Sequence, residues 1–148
     1  MKKLRKFFSV VLCLALIFSL QGFAFANSGS TEQTDSSVAK VNGLYYDTLS
    51  EAINAVEEEG TVELVAHAVL DKKITIKSGQ NIILDLGTYT IKSDGGFFDG
   101  YSMLFENNGS FTITGNGNID ATDGANPYIC IENKSGGQLN ILSQYHCQ

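Results

Sequence analysis

The sequence is poor in the residues that most often carry acid–base chemistry or bind polyanions. Its 148 residues include one arginine, Arg5, two histidines, His67 and His146, and no tryptophan. Because nucleic-acid binding needs clustered lysine and arginine to neutralise phosphates, we expect no nucleic-acid partner. His67 lies in an alternating strand and His146 in the terminal tail, so we interpret both as surface or edge residues rather than as general acids or bases.

The first 26 residues have the composition of a secretory signal peptide. A basic start at residues 2–6 precedes an apolar run at residues 7–20, and small residues precede the predicted cleavage site between Ala26 and Asn27. An uncleaved membrane anchor is the alternative. Without this segment the chain has six basic and sixteen acidic residues, a net charge of −10. We therefore expect a soluble, exported protein with no membrane partner once the signal is removed.

Two cysteines remain beyond the signal segment. Cys130 lies in an apolar strand and is interpreted as a small core residue. Cys147 is next to last in the chain and is interpreted as part of a frayed end. Because an extracellular location permits disulfides, a bond between the two is the alternative.

The segment after the signal is predicted to begin with a leader and a hairpin. Residues 27–37 hold Ser, Thr, Gln and Asp without a large apolar residue, which predicts a disordered leader. Residues 38–60 are predicted to form a hairpin and a capping helix. The hairpin is centred on Asn42 and Gly43, a strong signal for a two-residue turn.

An amphipathic helix is predicted directly after the hairpin. Thr48 and Glu51 have the spacing of a capping box, and Gly60 is predicted to end the helix in a left-handed conformation. One apolar stripe would face the core, formed by Leu49, Ala52, Ile53 and Val56.

Residues 61–148 read as short strands separated by turns. Residues 82–86 alternate with period two, as a half-buried strand does. A Glu-Asn pair recurs at residues 106–107 and 132–133, and two extra residues follow the second pair. Such a repeat of strands and turns without helices is typical of a coil of parallel strands. We predict that Asn107, Asn108 and Asn133 occupy the corners of this coil, where Asn tolerates left-handed conformations and bonds neighbouring backbone.

Two stretches resemble a known family. Residues 38–53 (VAKVNGLYYDTLSEAI) and 82–91 (IILDLGTYTI) resemble the opening and the Leu-Asp-Leu-Asn-Gly-His-Thr-Ile signature of secreted bacterial surface proteins with a right-handed parallel β-helix, the pectate-lyase-like fold. The second stretch lacks one residue at Asn-Gly and has Tyr89 in place of His. The resemblance covers about residues 38–142. It implies a mainly all-β fold, a right-handed parallel β-helix of about three rungs truncated at its C-terminal end, in a protein secreted or displayed by a Gram-positive bacterium.

The resemblance implies a structural or adhesin-type module, glycan-facing and without catalytic activity of its own, because no catalytic residue carries over. The alternative is a polysaccharide lyase or glycoside hydrolase of the same fold. A glycosidase needs two carboxylates across a sugar, and Asp94, Asp99, Asp120 and Asp123 lie in loops without a spacing that singles out a pair. The same aspartates are candidates for calcium, although no known calcium spacing is present; otherwise no cofactor is expected.

Two surfaces are predicted to meet partners. Phe97, Phe98 and Tyr101 cluster in one loop and are weak candidates for contacts with cell-wall or host glycans. The alternative is that the two phenylalanines pack over a rung edge. The last rung should expose Leu139, Ile141 and an unpaired strand edge, which predicts self-association.

Overall fold

The computed structural model describes residues 29–94, 103–123, 126–127 and 129–142, with side chains omitted at 123, 126 and 127. The described part is mainly β with one helix, in agreement with the predicted all-β class. In chain order the elements are β1 (Ala39–Val41), β2 (Leu44–Tyr46), α1 (Leu49–Ala55), β3 (Glu59–Leu64), β4 (Ala68–Leu70), β5 (Ile74–Ile76), β6 (Asn81–Asp85), β7 (Thr90–Ser93), β8 (Met103–Asn107), β9 (Ser110–Thr114), β10 (Asn118–Asp120), β11 (Thr122–Asp123), β12 (Asn126–Pro127), β13 (Ile129–Asn133) and β14 (Gln138–Ile141).

Three sheets are built from parallel strand pairs, and the chain visits them in turn. Sheet A contains β3, β6, β9 and β14, sheet B contains β4, β7 and β10, and sheet C contains β5, β8 and β13. We call three consecutive strands, one from each sheet, a pass. Each pass pairs with the passes before and after it, so the described strands stack in the manner of repeat proteins.

The core is one cluster of apolar side chains enclosed by the three sheets and the helix. Strand register aligns these side chains from pass to pass. Val62 lies beside Leu84, which lies beside Ile113, and all three are buried. Phe105 on β8 and Phe111 on β9, which belong to different sheets, contact each other in the core with ring centroids 5.4 Å apart. The period-two pattern therefore orients apolar residues inward and polar residues outward along each strand.

A hairpin and a helix cover the first pass. Asn42 and Gly43 have φ angles of 50° and 83°, which form the predicted two-residue turn between β1 and β2. β1 pairs antiparallel with β3, so the hairpin occupies the N-terminal edge of sheet A. Thr48 caps α1, since its hydroxyl oxygen accepts a hydrogen bond from the Glu51 backbone N–H at 3.2 Å. The helix buries Leu49, Ala52 and Ile53, as the apolar stripe predicts.

The predicted end of the helix is wrong. The helix ends at Ala55, and Gly60 lies inside β3 without a left-handed φ. Val56 is the reason, because its side chain turns into the core and its carbonyl accepts a hydrogen bond from Gln80 Nε2 at 2.6 Å. A Cβ on Gly60 would lie only 3.1 Å from Val56 Cγ1, so glycine here permits close packing rather than a helix stop.

The described part of the leader differs from the predicted disorder. Ser30 exchanges two backbone hydrogen bonds with Tyr45, at 2.7 and 2.6 Å. Ser37 is buried, and its hydroxyl accepts from the Thr34 N–H at 2.9 Å. The leader is thus held by hydrogen bonds to the hairpin and within its own turn, which its lack of apolar residues does not reveal. The predicted signal peptide, with its cleavage site at Ala26 and Asn27, lies outside the described residues.

Within the described ranges, no helix is both long enough and apolar enough to cross a membrane.

Candidate functional site

An open groove lies where the chain turns from sheet C to sheet A. The turns at residues 77–80 and 134–137 have four residues each, whereas the turn between them, at 108–109, has two. The short turn is recessed between the longer ones, which leaves a cavity of about 420 Å³. We call this cavity the corner groove. It is lined by Ser78, Gly79, Gln80, Asn81, Asn108, Gly109, Ser110, Gly136 and Gln138.

Glycines fix the shape of the corner groove. Gly79 and Gly136 occupy equivalent places in the two long turns, with φ angles of 88° and 91°, and both face open space. Gly109, at the floor, packs against backbone instead. A Cβ there would collide with the carbonyl oxygens of Lys77 and Gln80, the second at 2.5 Å. The recess therefore requires the absence of a side chain at residue 109.

Buried amides hold the floor of the groove in place. Gln80 accepts from the Lys77 N–H at 2.8 Å and donates to the Val56 carbonyl. Asn107 is fully buried and donates through Nδ2 to Asn133 Oδ1 at 2.7 Å and to the Gln138 carbonyl at 2.9 Å. Its Oδ1 accepts from the Gly109 N–H at 3.1 Å. These hydrogen bonds join successive turns and leave the Asn107 amide no free donor for a ligand.

The corner positions predicted for the asparagines are observed, and so are the predicted bonds to neighbouring backbone at Asn107 and Asn133, but none of the three residues adopts a left-handed conformation. Among the described non-glycine residues, only Asn42 has a positive φ. Asn107 and Asn133 work through their side chains instead, and Asn133 Nδ2 donates to the Gly137 carbonyl at 2.8 Å. Asn108 donates to Glu106 Oε1 at 3.3 Å. Cross-turn hydrogen bonding therefore explains Asn at these corners better than backbone conformation does.

One wall of the groove presents a row of unengaged polar side chains. Asn81, Ser110 and Gln138 are the first residues of β6, β9 and β14, and strand register places them side by side. Neighbouring strands are about 4.8 Å apart, so the row spans three evenly spaced groups. Within the part of the chain that the structure describes, none of the three side chains bonds another protein group. The described lining also contains no charged residue.

Charged side chains adjoin the groove on the outer face of sheet C, where they pair with each other. Glu106 and Glu132 are register neighbours. Lys73 Nζ lies 2.6 Å from Glu106 Oε2, and Lys134 Nζ lies 2.7 Å from Glu132 Oε1. Hydrogen bonds from Lys73 and then Asn108 lower the pKa of the Glu106 carboxyl. The lowered pKa favours an ionised, paired Glu106 carboxylate rather than a proton donor near neutral pH.

The loop aspartates predicted as candidates are only partly described. Asp120 accepts hydrogen bonds from the hydroxyl and backbone N–H of Thr122 at 2.6 and 3.0 Å, which lower its pKa. Asp94 is exposed, and its backbone N–H donates to the Leu70 carbonyl. Asp99 and the side chain of Asp123 lie outside the described part. Among the described residues, no group of three or more His, Cys, Asp or Glu could hold a metal ion.

The remaining candidate residues are also only partly described. His67 is exposed, and its Nδ1 accepts from the Thr90 N–H at 3.0 Å while its ring meets the edge of Tyr89. Its exposure agrees with the predicted surface role, but it lies in the turn between β3 and β4 rather than in a strand as predicted. The other candidates lie outside the described residues, namely Phe97, Phe98, Tyr101, His146 and Cys147.

Cys130 is buried as predicted, but it is disulfide-bonded rather than a free thiol. Its sulfur lies 3.8 Å from the Ile119 carbonyl oxygen. Since a disulfide sulfur carries no proton, this is a packing contact and not a hydrogen bond. Cys130 is therefore in a disulfide, as the alternative interpretation requires; because no other cysteine lies among the described residues, the pairing with Cys147 stays a prediction.

Strand register also creates carboxylate neighbours that sequence reasoning missed. Glu63 and Asp85 lie side by side on the outer face of sheet A. Glu63 pairs with Lys40 at 3.4 Å, and Asp85 Oδ1 accepts from the Gly87 N–H at 2.9 Å. The two residues are 22 positions apart, so only the repeat length could have indicated that they are adjacent.

Set against known proteins, the chain matches no protein-family model, no curated protein and no solved structure.

Proposed function

We propose that this chain is a secreted or cell-surface module of structural, adhesin type. It forms a right-handed parallel β-helix of the pectate-lyase-like kind, faces glycans and has no catalytic activity of its own. The observation that carries the proposal is the order in which the chain visits sheets A, B and C, with each pass stacked on the previous one. Such repeats present extended, regular outer surfaces, which suit recognition and display.

The outer surfaces support a role in binding rather than catalysis. Charges on the outer face of sheet C pair with one another in the network of Lys73, Glu106, Lys134 and Glu132. The corner groove beside this network offers uncharged hydrogen-bonding groups. A surface of this kind can hold a polar ligand without activating it.

Export and activity can be tested on the same preparation. Protein secreted by a Gram-positive host should begin at Asn27 on N-terminal sequencing, and an intact Met1 on membrane-bound protein would contradict the export step. The secreted protein is then incubated with pectin, alginate and hyaluronan. We expect neither unsaturated ends nor new reducing sugar.

A polysaccharide lyase or hydrolase is the second candidate, and the Glu63–Asp85 neighbours favour it. Paired carboxylates on adjacent strands are the groups a glycosidase needs. If any of the three polysaccharides is cleaved, Glu63→Gln and Asp85→Asn are compared with Glu58→Gln, an exposed control. Cleavage lost in the first two variants and kept in the third would replace the proposed function with catalysis.

A further inference from the structure

We propose that the corner groove binds a neutral, hydroxyl-rich glycan chain. This inference rests on the proposed glycan-facing function and assigns it a site and a ligand class. The groove is open and about 420 Å³ in volume. It is bounded by two long turns, one in the pass before Gly109 and one in the pass after it. It can therefore accept a linear chain that enters and leaves at the surface, rather than only a small enclosed molecule.

The free groups in the groove match the chemistry of hydroxyls. Asn81 and Gln138 each supply an amide with donors and an acceptor, and Ser110 supplies a hydroxyl that does both. A sugar hydroxyl likewise donates and accepts, so the two sets can satisfy each other. Because the three residues sit in register on adjacent strands, their groups are presented in one line.

The charge of the lining selects against ionic ligands. None of the described lining residues is charged, and the charges beside the groove are of both signs, because the exposed Glu59 is the register neighbour of Asn81 and the exposed Lys77 begins the first long turn. A charged ligand of either sign would lose water without meeting an opposite charge among the lining residues and would lie near a like charge beside the groove, which is unfavourable. The ligand class is therefore neutral.

A peptide fits this groove less well than a glycan does. Peptides bind sheets mainly by pairing with a free strand edge and placing side chains in apolar pockets. β6 and β9, which underlie the groove, are each paired on both sides, and the edge that β14 leaves unpaired among the described strands lies on the side away from β9 and the groove. The described lining consists of Ser, Gly, Gln and Asn, so it offers no apolar side chain to form such a pocket.

The site is organised before the ligand arrives. Gln80 and Asn107 fix the turns from below with hydrogen bonds of 2.6–3.1 Å. Little backbone ordering is then required on binding, which preserves affinity for a ligand held by a few hydrogen bonds.

The test is affinity electrophoresis of the secreted protein in gels that contain laminarin, hydroxyethylcellulose, soluble starch or polygalacturonate. We expect retardation by at least one of the three neutral glycans and none by polygalacturonate. The Asn81→Ala, Gln138→Ala double variant should bind that glycan at least tenfold more weakly. Asn140→Ala, on the same strand as Gln138 but outside the groove, should bind as the wild type does.

Each remaining outcome overturns the inference. Failure to bind any neutral glycan, retardation by polygalacturonate alone, or binding only to a neutral Gly/Ser peptide tested alongside would do so. Retardation that survives the double variant would remove the groove as the site but leave a glycan-facing function in place. Cleavage of the glycan would instead contradict the proposed function itself. Equal melting temperatures of the double variant and the wild type verify that both are folded.

Discussion

At the scale of single residues, the buried Asn107 amide has the largest predicted effect on stability among the polar side chains of the corners. Asn107→Ala would leave the Gly109 N–H, Asn133 Oδ1 and the Gln138 carbonyl without their partner. Because each unsatisfied buried group costs roughly 1–3 kcal/mol, we expect the free energy of unfolding to fall by about 3 kcal/mol. Urea denaturation measures this loss. Asn108→Ala, which removes one 3.3 Å hydrogen bond, should cost less than about 1 kcal/mol, and equal losses would contradict the assignment.

Glu106 should make stability depend on pH. Hydrogen bonds from Lys73 and Asn108 lower its pKa in the folded chain below the ordinary value of 4.5. A lowered folded-state pKa stabilises the fold above pH 4.5, and this contribution is lost as the pH falls through the lowered value. Glu106→Gln should therefore reduce the melting temperature at neutral pH and have little effect at strongly acidic pH. A difference between variant and wild type that stays constant with pH would contradict this role.

The local sequence predicts where these residues lie but not what they contact. The Glu-Asn repeat locates Asn107 and Asn133 at corners because turns favour Asn. The hydrogen bond between their side chains joins residues 26 positions apart, and no local pattern contains that information. The same holds for Glu63 and Asp85, which become neighbours only through strand register.

At the scale of elements, the capping helix should be needed to bury the first pass. Ile53 is 1% exposed in the core, so Ile53→Asp would place a charge among apolar side chains. We expect a loss of about 3 kcal/mol or more in the free energy of unfolding. Asn54→Asp, on the exposed side of the same helix, is the matched control. Similar thermal melts of the two variants would show that the helix does not seal the core.

The helix shows why element boundaries are harder to predict than elements. Its start follows from Thr48 and Glu51, which are local signals, and it is observed. For its end, the local sequence predicts Gly60, because glycine commonly follows a helix. The structure ends it at Ala55, since Val56 enters the core and Gly60 pairs with Ile82 in sheet A. Tertiary packing therefore outweighs the local signal at this end.

At the scale of the whole molecule, the last described strands expose apolar surface. β14 and β13 lie at the edges of sheets A and C. Ile141 is 42% exposed, as predicted, and Leu142 is 73% exposed. Leu139, which was also predicted to be exposed, is instead partly buried against the core. We expect the secreted protein to associate as its concentration rises, because such edges pair with other chains. Light scattering over a hundredfold range of concentration measures the effect.

Matched variants locate that association. Ile141→Lys should shift the protein toward monomer, because it places a charge on the exposed edge. Val69→Lys, which replaces a more exposed apolar side chain on the outer face of sheet B, should not. A wild type that stays monomeric throughout would refute the expectation.

The repeat pattern predicted the strands well and the groove not at all. Alternating apolar residues identify strands because each strand has one buried face. The groove depends on a difference of two residues between turns, which is visible in the sequence as the insertion after residue 133. The insertion alone does not indicate a groove. The pairing of β6, β9 and β14 is also needed, because it is this pairing that places the short turn between the two long ones.

The order of pairing has a consequence for how the protein is made. From β6 onward, every strand of sheets A, B and C pairs with a strand that precedes it in the chain. Chains emerge from the ribosome N-terminus first, so the hairpin, helix and β3 exist before later strands arrive and offer them a ready edge. Assembly can then keep pace with synthesis. A nascent chain stopped after residue 107 already contains the first two passes, so every strand of the second pass has its partner in the first. A chain without residues 38–58 would emerge with β3 lacking its partner β1 and with no helix over the first pass.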